Sequence, residues 1–168
     1  MKKLLPSIVT GFAAGVLTTV PLLKNFACCL LLPAAAVFAV FLDQKANGED
    51  ENLLMSKGVV IGLMTGIFAA VFGSTFDILI TYIAKSNDLV STFSEMQNFI
   101  SNFPINETMK QQITNMMQSM VNDITHTGFS LFYTVSIIAN NFISDSIFGV
   151  IGGMIGVQIY KSRKARQR

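Results

Sequence analysis

Few residues in this chain have the type and setting to carry chemistry, and two carboxylates head them. Asp77 and Asp145 each lie inside a long apolar run, where an ionisable group often marks an ion path or a proton relay. Their surroundings weigh against that. Asn140, Asn141, Ser144 and Ser146 flank Asp145, which equally suits a local polar break in a helix. Lys24, in the turn after the first apolar run, is placed to reach Asp77. Counting about 20 residues on from Gly58 ends at Asp77, and the same count back from Tyr160 ends at Asn141. Both acids are thus expected near a membrane boundary, in structural or interfacial roles. Transport through Asp77 and Asp145 is the alternative.

Other chemistry finds little support. His126 is the only histidine, so a histidine-based metal site or a histidine-assisted nucleophile has no second partner. The glycines sit inside apolar runs rather than between a strand and a helix, so no phosphate-binding loop is implied. Cys28 and Cys29 are adjacent; they cannot staple distant segments and read as small hydrophobes. Asn106-Glu107-Thr108 matches a glycosylation sequon, which matters only in a eukaryotic secretory pathway. No catalytic, cofactor or metal site is expected, and no enzyme.

The elements that must position these residues are helices in lipid. Charged residues make up 13% of the 168 residues, about half the usual share of about 25%. The deficit is concentrated in Leu4 to Leu23, Phe26 to Leu42, Gly58 to Ala84 and Gly128 to Tyr160, which hold Asp77 and Asp145 but no lysine, arginine or histidine. Such runs read as membrane spans. The expected fold is all-α, a polytopic membrane protein with four transmembrane helices at about 4–23, 26–42, 58–77 and 141–160. A re-entrant hairpin over residues 4–42 is the alternative for the first two spans. Leu4 to Leu23 exceeds a signal-peptide core and no Ala-x-Ala site follows, so cleavage is not expected. Pro33 is expected to kink the second span.

Lysine and arginine set the orientation. With both termini cytoplasmic, nine of the 12 basic residues lie inside, leaving Lys24, Lys85 and Lys110 outside. Residues 43–57, with Glu49-Asp50-Glu51, then form a solvated cytoplasmic loop, and 161–168 a basic cytoplasmic tail. Residues 78–140 are expected outside the membrane, continuous with spans three and four. Within them Leu89, Phe93, Met96, Ile100 and Phe103, then Met109, Ile113, Met116, Met120 and Ile124, recur at three- and four-residue steps. Two amphipathic helices, an extracytoplasmic hairpin, follow, with Pro104 in the first turn of the second.

Glycine spacing is the clearest pattern. Gly11 and Gly15, then Gly58, Gly62 and Gly66, then Gly149 with Gly153 and Gly152 with Gly156, stand four apart. Each set opens one helix face to a close neighbour, within the chain or in a homo-oligomer or larger membrane complex. The bilayer is the other expected partner, its anionic lipids meeting a tail in which five of eight residues are basic. Nucleic acid is not expected.

A basic start, a close helix pair, the Lys57-Gly58 entry to span three, a Met-rich outer segment and the run Ile147-Phe148-Gly149-Val150-Ile151-Gly152-Gly153 before basic residues complete the pattern. In this order of elements the chain resembles a family of small four-span inner-membrane proteins of Bacteroidetes and relatives. The resemblance implies a bacterial inner-membrane location and four spans, and brings no activity or site residue with it.

Overall fold

The computed structural model describes residues 4–20, 27–48 and 53–166. Its regular structure is helical throughout: α1 (Leu5–Leu17), a π-helical turn (Ala27–Leu31), α2 (Leu32–Asn47), α3 (Met55–Ala84), α4 (Asp88–Asn102), α5 (Glu107–Thr127) and α6 (Leu131–Arg166). No strand occurs among the described residues. Among the described residues three helices, Cys29–Asn47, Met55–Ala84 and Leu131–Arg166, are long and apolar enough to cross a membrane.

The first span departs from expectation. α1 has 13 residues, about 20 Å of helix against a hydrocarbon core of about 30 Å. Its end has a local cause. Thr18 and Thr19 turn their hydroxyls back onto the carbonyls of Gly15 and Val16, at 2.8 and 2.7 Å, and Val20 precedes a proline, which disfavours helical backbone. The turn expected around Lys24 lies outside the described residues. The second span opens in the π-helical turn Ala27–Leu31 and passes into regular helix at Leu32, so Pro33 lies in the first regular turn of α2, directly after the π-helical one. At the other end α2 runs on to Asn47, well into the segment expected to be loop. Glu49 to Glu51 lie outside the described residues.

The chain divides into two compact units, Met1–Phe76 with Ile138–Arg168, and Asp77–Ile137. In the first, a four-helix unit, the glycine contacts fix direction. Gly11 and Gly15 of α1 meet Phe68 and Ala69 of α3 in rising order, so the two run parallel. Gly58, Gly62 and Gly66 of α3 meet Gly153, Gly149 and Asp145 of α6, an antiparallel pair. Gly152 and Gly156 meet Pro33 and Val40, so α2 runs with α6. The result is an up-down-up-down arrangement. One end of the unit gathers the starts of α1 and α3 and the ends of α2 and α6.

Its residues are distributed the opposite way to those of a soluble bundle. α1 buries Pro6, Ser7, Thr10, Gly11, Ala14 and Gly15 and exposes Leu5, Val9, Phe12 and Val16. α6 buries Asp145, Gly149, Gly152, Gly153 and Gly156 and exposes Ile143, Ile147, Ile151 and Ile155. Small residues inside and branched apolar ones outside suit a lipid environment, where close backbone packing rather than apolar burial drives association. Ala39, Val40, Leu53, Ile61 and Val157 form one small core at the charged end, and Ala14, Leu32 and Ala69 a second. This is a membrane protein.

The second unit, a hairpin unit, contains α4, α5 and the adjoining ends of α3 and α6. Both hairpin helices start on asparagine caps: Asn87 Oδ1 accepts from Val90 N at 3.0 Å, and Asn106 Oδ1 from Met109 N at 2.7 Å. Pro104 therefore lies ahead of the cap and not in the first turn of α5. α5 ends at Gly128, whose φ of +78° is the left-handed cap conformation that favours glycine. Lys85 Nζ donates to the His126 carbonyl at 3.1 Å.

Candidate functional site

The glycines expected to pack do meet backbone, within this chain. A methyl on Gly62 would fall on the carbonyl oxygen of Gly149, one on Gly149 or Gly153 on those of Gly62 or Gly58, and one on Gly66 on that of Asp145. Gly58 is level with Gly153 and not with Tyr160, so segments 58–77 and 141–160 are seven residues out of step, about 10 Å. Asp145 moves with them. Opposite Gly66, it lies eight residues or about 12 Å along α3 from Gly58, inside the packed helices rather than at their outer limit.

Asp145 is 7% exposed, and α6 is unbroken through Asn140 to Ser146, so the expected polar break is absent. The polar residues are accommodated by helix packing instead. Asn141 Nδ2 donates to Ser74 Oγ at 3.1 Å, tying α6 to α3 one turn from Asp145. Thr65, fully buried, donates to the Ile61 carbonyl at 2.9 Å, and Ser7 of α1 donates to the same oxygen at 3.2 Å. Asn140 is exposed. Asp77 is half-buried and belongs to the hairpin unit. Lys24 lies outside the described residues. Cys29 is a free, exposed thiol. Asn106 of the sequon is engaged as the helix cap. Among the described residues no group of three His, Cys, Asp or Glu side chains is placed to hold a metal ion.

The feature that sequence reasoning missed sits where α2 ends and α3 begins. Asp43 and Gln44, expected in a solvated loop, are 3% and 1% exposed. Three donors converge on the Asp43 carboxylate: Lys57 Nζ at 2.9 Å, Asn47 Nδ2 at 2.7 Å and Gln44 Nε2 at 3.2 Å. A cleft of about 230 Å³ opens beside them, lined also by Leu4, Ser7, Val60, Ile61 and Met64. A signal was present. Leu32, Ala36, Ala39 and Val40 form a buried stripe, and Asp43 and Gln44 continue it in helical step. At the same end Arg163 lies over the Phe41 ring, 5.3 Å from its centroid, and Phe41 meets Tyr160 edge-on at 6.0 Å. These contacts fix the basic end of α6 against α2. Compared with protein-family models, curated proteins and solved structures, the chain finds no match.

Proposed function

We propose that this is a bacterial inner-membrane protein that crosses the bilayer four times with both termini cytoplasmic, as the resemblance in its order of elements implies. It acts by packing rather than by turnover, as an accessory component of a membrane assembly or a homo-oligomer. The orientation rests on Lys45, Lys57, Lys161, Arg163, Lys164 and Arg166, which gather at one end of the four-helix unit. α1 starts the fourth crossing.

The hairpin carries the functional reading. α4 buries no residue, and Phe99, 67% exposed, lines one apolar groove with Ile100, Phe103, Met109 and Ile113. An exposed apolar groove on helices too polar to span lipid marks a surface that another molecule completes. A photocrosslinking residue at Phe99 or Phe103 in intact cells should give one discrete adduct, and one at the exposed Ser119 none. Equal, diffuse labelling at all three positions would overturn the packing role. A cysteine at Glu95, exposed on α4, in a background lacking Cys28 and Cys29, should react with impermeant reagent in intact spheroplasts. Labelling only after permeabilisation reverses the orientation.

A second reading, a small transporter using Asp77 and Asp145, is favoured by the depth of Asp145 among packed helices. Reconstituted protein should then show a cation or proton flux that Asp145→Asn abolishes; the packing role predicts no flux.

A further inference from the structure

The cleft at the charged end of the four-helix unit has a mixed lining, polar at Ser7, Asp43, Asn47 and Lys57 and apolar at Leu4, Val60, Ile61 and Met64. Along α3 the lining passes from Lys57 near the helix start to Val60, Ile61 and Met64 further in. Leu4 and Val60 are themselves exposed on the outer surface of the helices. An occupant must therefore be polar where it meets Lys57 and apolar where it leaves along α1 and α3. A cleft of about 230 Å³ holds a headgroup, not acyl chains. In a chain that spans a membrane, this end of the helices is the level at which lipid headgroups lie.

The charges narrow the class. Asp43 and Lys57 sum to zero, and they are not equally available. Three donors already enclose the Asp43 carboxylate, leaving it 4% exposed, whereas the Lys57 side chain is 38% exposed and held upright by that carboxylate. An ammonium has three N–H groups, so Lys57 can bind a phosphate without releasing Asp43. Asn47 gives Nδ2 to Asp43, which leaves its Oδ1 as an acceptor beside the cleft. A phosphate next to Lys57 and an N–H donor next to Asn47 describe a zwitterion. A headgroup that carries a hydroxyl in place of the ammonium would offer Asn47 only a neutral donor, and a quaternary ammonium has no N–H to offer it. We propose that this cleft binds the phosphoethanolamine headgroup of a membrane lipid, with phosphate on Lys57, primary ammonium on Asn47, and chains along Leu4, Val60 and Met64. The assignment rests on the membrane location and not on the accessory role, so failure of crosslinking at Phe99 leaves it standing.

Native mass spectrometry of the full-length protein, titrated in detergent with phosphatidylethanolamine, phosphatidylglycerol or phosphatidylcholine, tests it. Phosphatidylethanolamine should be retained about tenfold over the other two, the scale of one charge-assisted hydrogen bond. Lys57→Gln should lower that retention about tenfold. Asp43→Asn leaves Lys57 unbalanced and should reverse the preference toward phosphatidylglycerol. Should either variant fail to fold, Val60→Trp, which fills the cleft mouth and leaves the ion pair in place, should still reduce retention with helix content unchanged. Equal retention of the three lipids by the unaltered protein overturns the proposal, as does retention unaffected by Val60→Trp. Displacement of bound lipid by an equal concentration of soluble phosphoethanolamine overturns the lipid as its source.

Discussion

The four-helix unit and the hairpin unit solve the same problem, holding helices together, with opposite residues. In the first, Gly58, Gly62 and Gly66 lie directly on the α6 backbone while isoleucines, leucines and phenylalanines face outward. In the second, apolar side chains recur on one helix face, polar side chains fill the other, and asparagine caps close both helix starts. The difference follows from the solvent. Lipid gives no reward for burying a leucine, so contact comes from removing side chains. Water does give that reward, and in the hairpin Met117 and Ile124 of α5 are the side chains that collect it, while α4 buries none. A helix can therefore be assigned to its medium by asking which residues it buries, before its length is considered.

The largest expected effects test the glycine contacts. Gly62→Ala gains up to about 1 kcal/mol of helix propensity, but its methyl would meet the Gly149 carbonyl, and backbone cannot turn aside. A net loss of about 2–3 kcal/mol follows from overpacking. Gly73→Ala calibrates it. There the nearest atom is the Thr18 hydroxyl at 3.1 Å, with nothing else closer than 3.6 Å, so the propensity gain should prevail and stability should hold or rise. Thermal unfolding in detergent separates the two. If both variants behave alike, close backbone approach is not what joins α3 to α6.

Parts of this design are legible in the sequence. The four-residue repeat of Gly58, Gly62 and Gly66 announces a bare helix face, and the three- and four-residue steps of the hairpin announce its two helices. What faces the glycines is not legible, because inter-helix register is a tertiary property. Hence Gly58 pairs with Gly153, and Asp145 moves inward from where counting from Tyr160 places it. Asp43 and Gln44 were hidden for a different reason. Polar residues after an apolar run read as the start of a loop, and only a partner on another helix, Lys57, shows that they are buried.

The next effect probes the one place where the hairpin unit follows the rule of the other. Gly128 combines a positive φ with an approach to the Tyr82 carbonyl, where an added methyl would lie 2.5 Å away. Gly128→Ala should cost about 2 kcal/mol, roughly half from the left-handed backbone and the rest from the contact. Hydrogen exchange should show the loss in α5, with the glycine-packed segments of α3 and α6 unchanged. Loss of protection at Gly62 and Gly149 as well would mean that the two units unfold as one. The caps come below that. Asn87→Ala and Asn106→Ala each remove a side-chain acceptor from a helix start and should cost about 1 kcal/mol, confined to the helix concerned.

The smallest effect separates charge from geometry inside the hairpin. Lys110 Nζ sits 2.9 Å from Glu107 Oε1 and 2.8 Å from the Ser101 carbonyl, which belongs to the preceding helix. The two contacts are not equivalent. Glu107 is 79% exposed at its side chain, so water and salt screen the ion pair. Glu107→Gln should therefore change stability by less than about 0.5 kcal/mol. The bond to Ser101 closes the loop between α4 and α5 and draws on a lysine that is only 18% exposed. Lys110→Met keeps the aliphatic stem but loses that bond, and should cost about 0.5–1 kcal/mol. Raising salt from about 0.05 to 0.5 M should shrink any Glu107→Gln effect and leave most of the Lys110→Met effect in place. If salt erases both, the loop is held by charge and not by the donor that Lys110 presents to Ser101. In that case the hairpin's stability would follow ionic strength, while the four-helix unit, joined through Gly58, Gly62 and Gly66, would not.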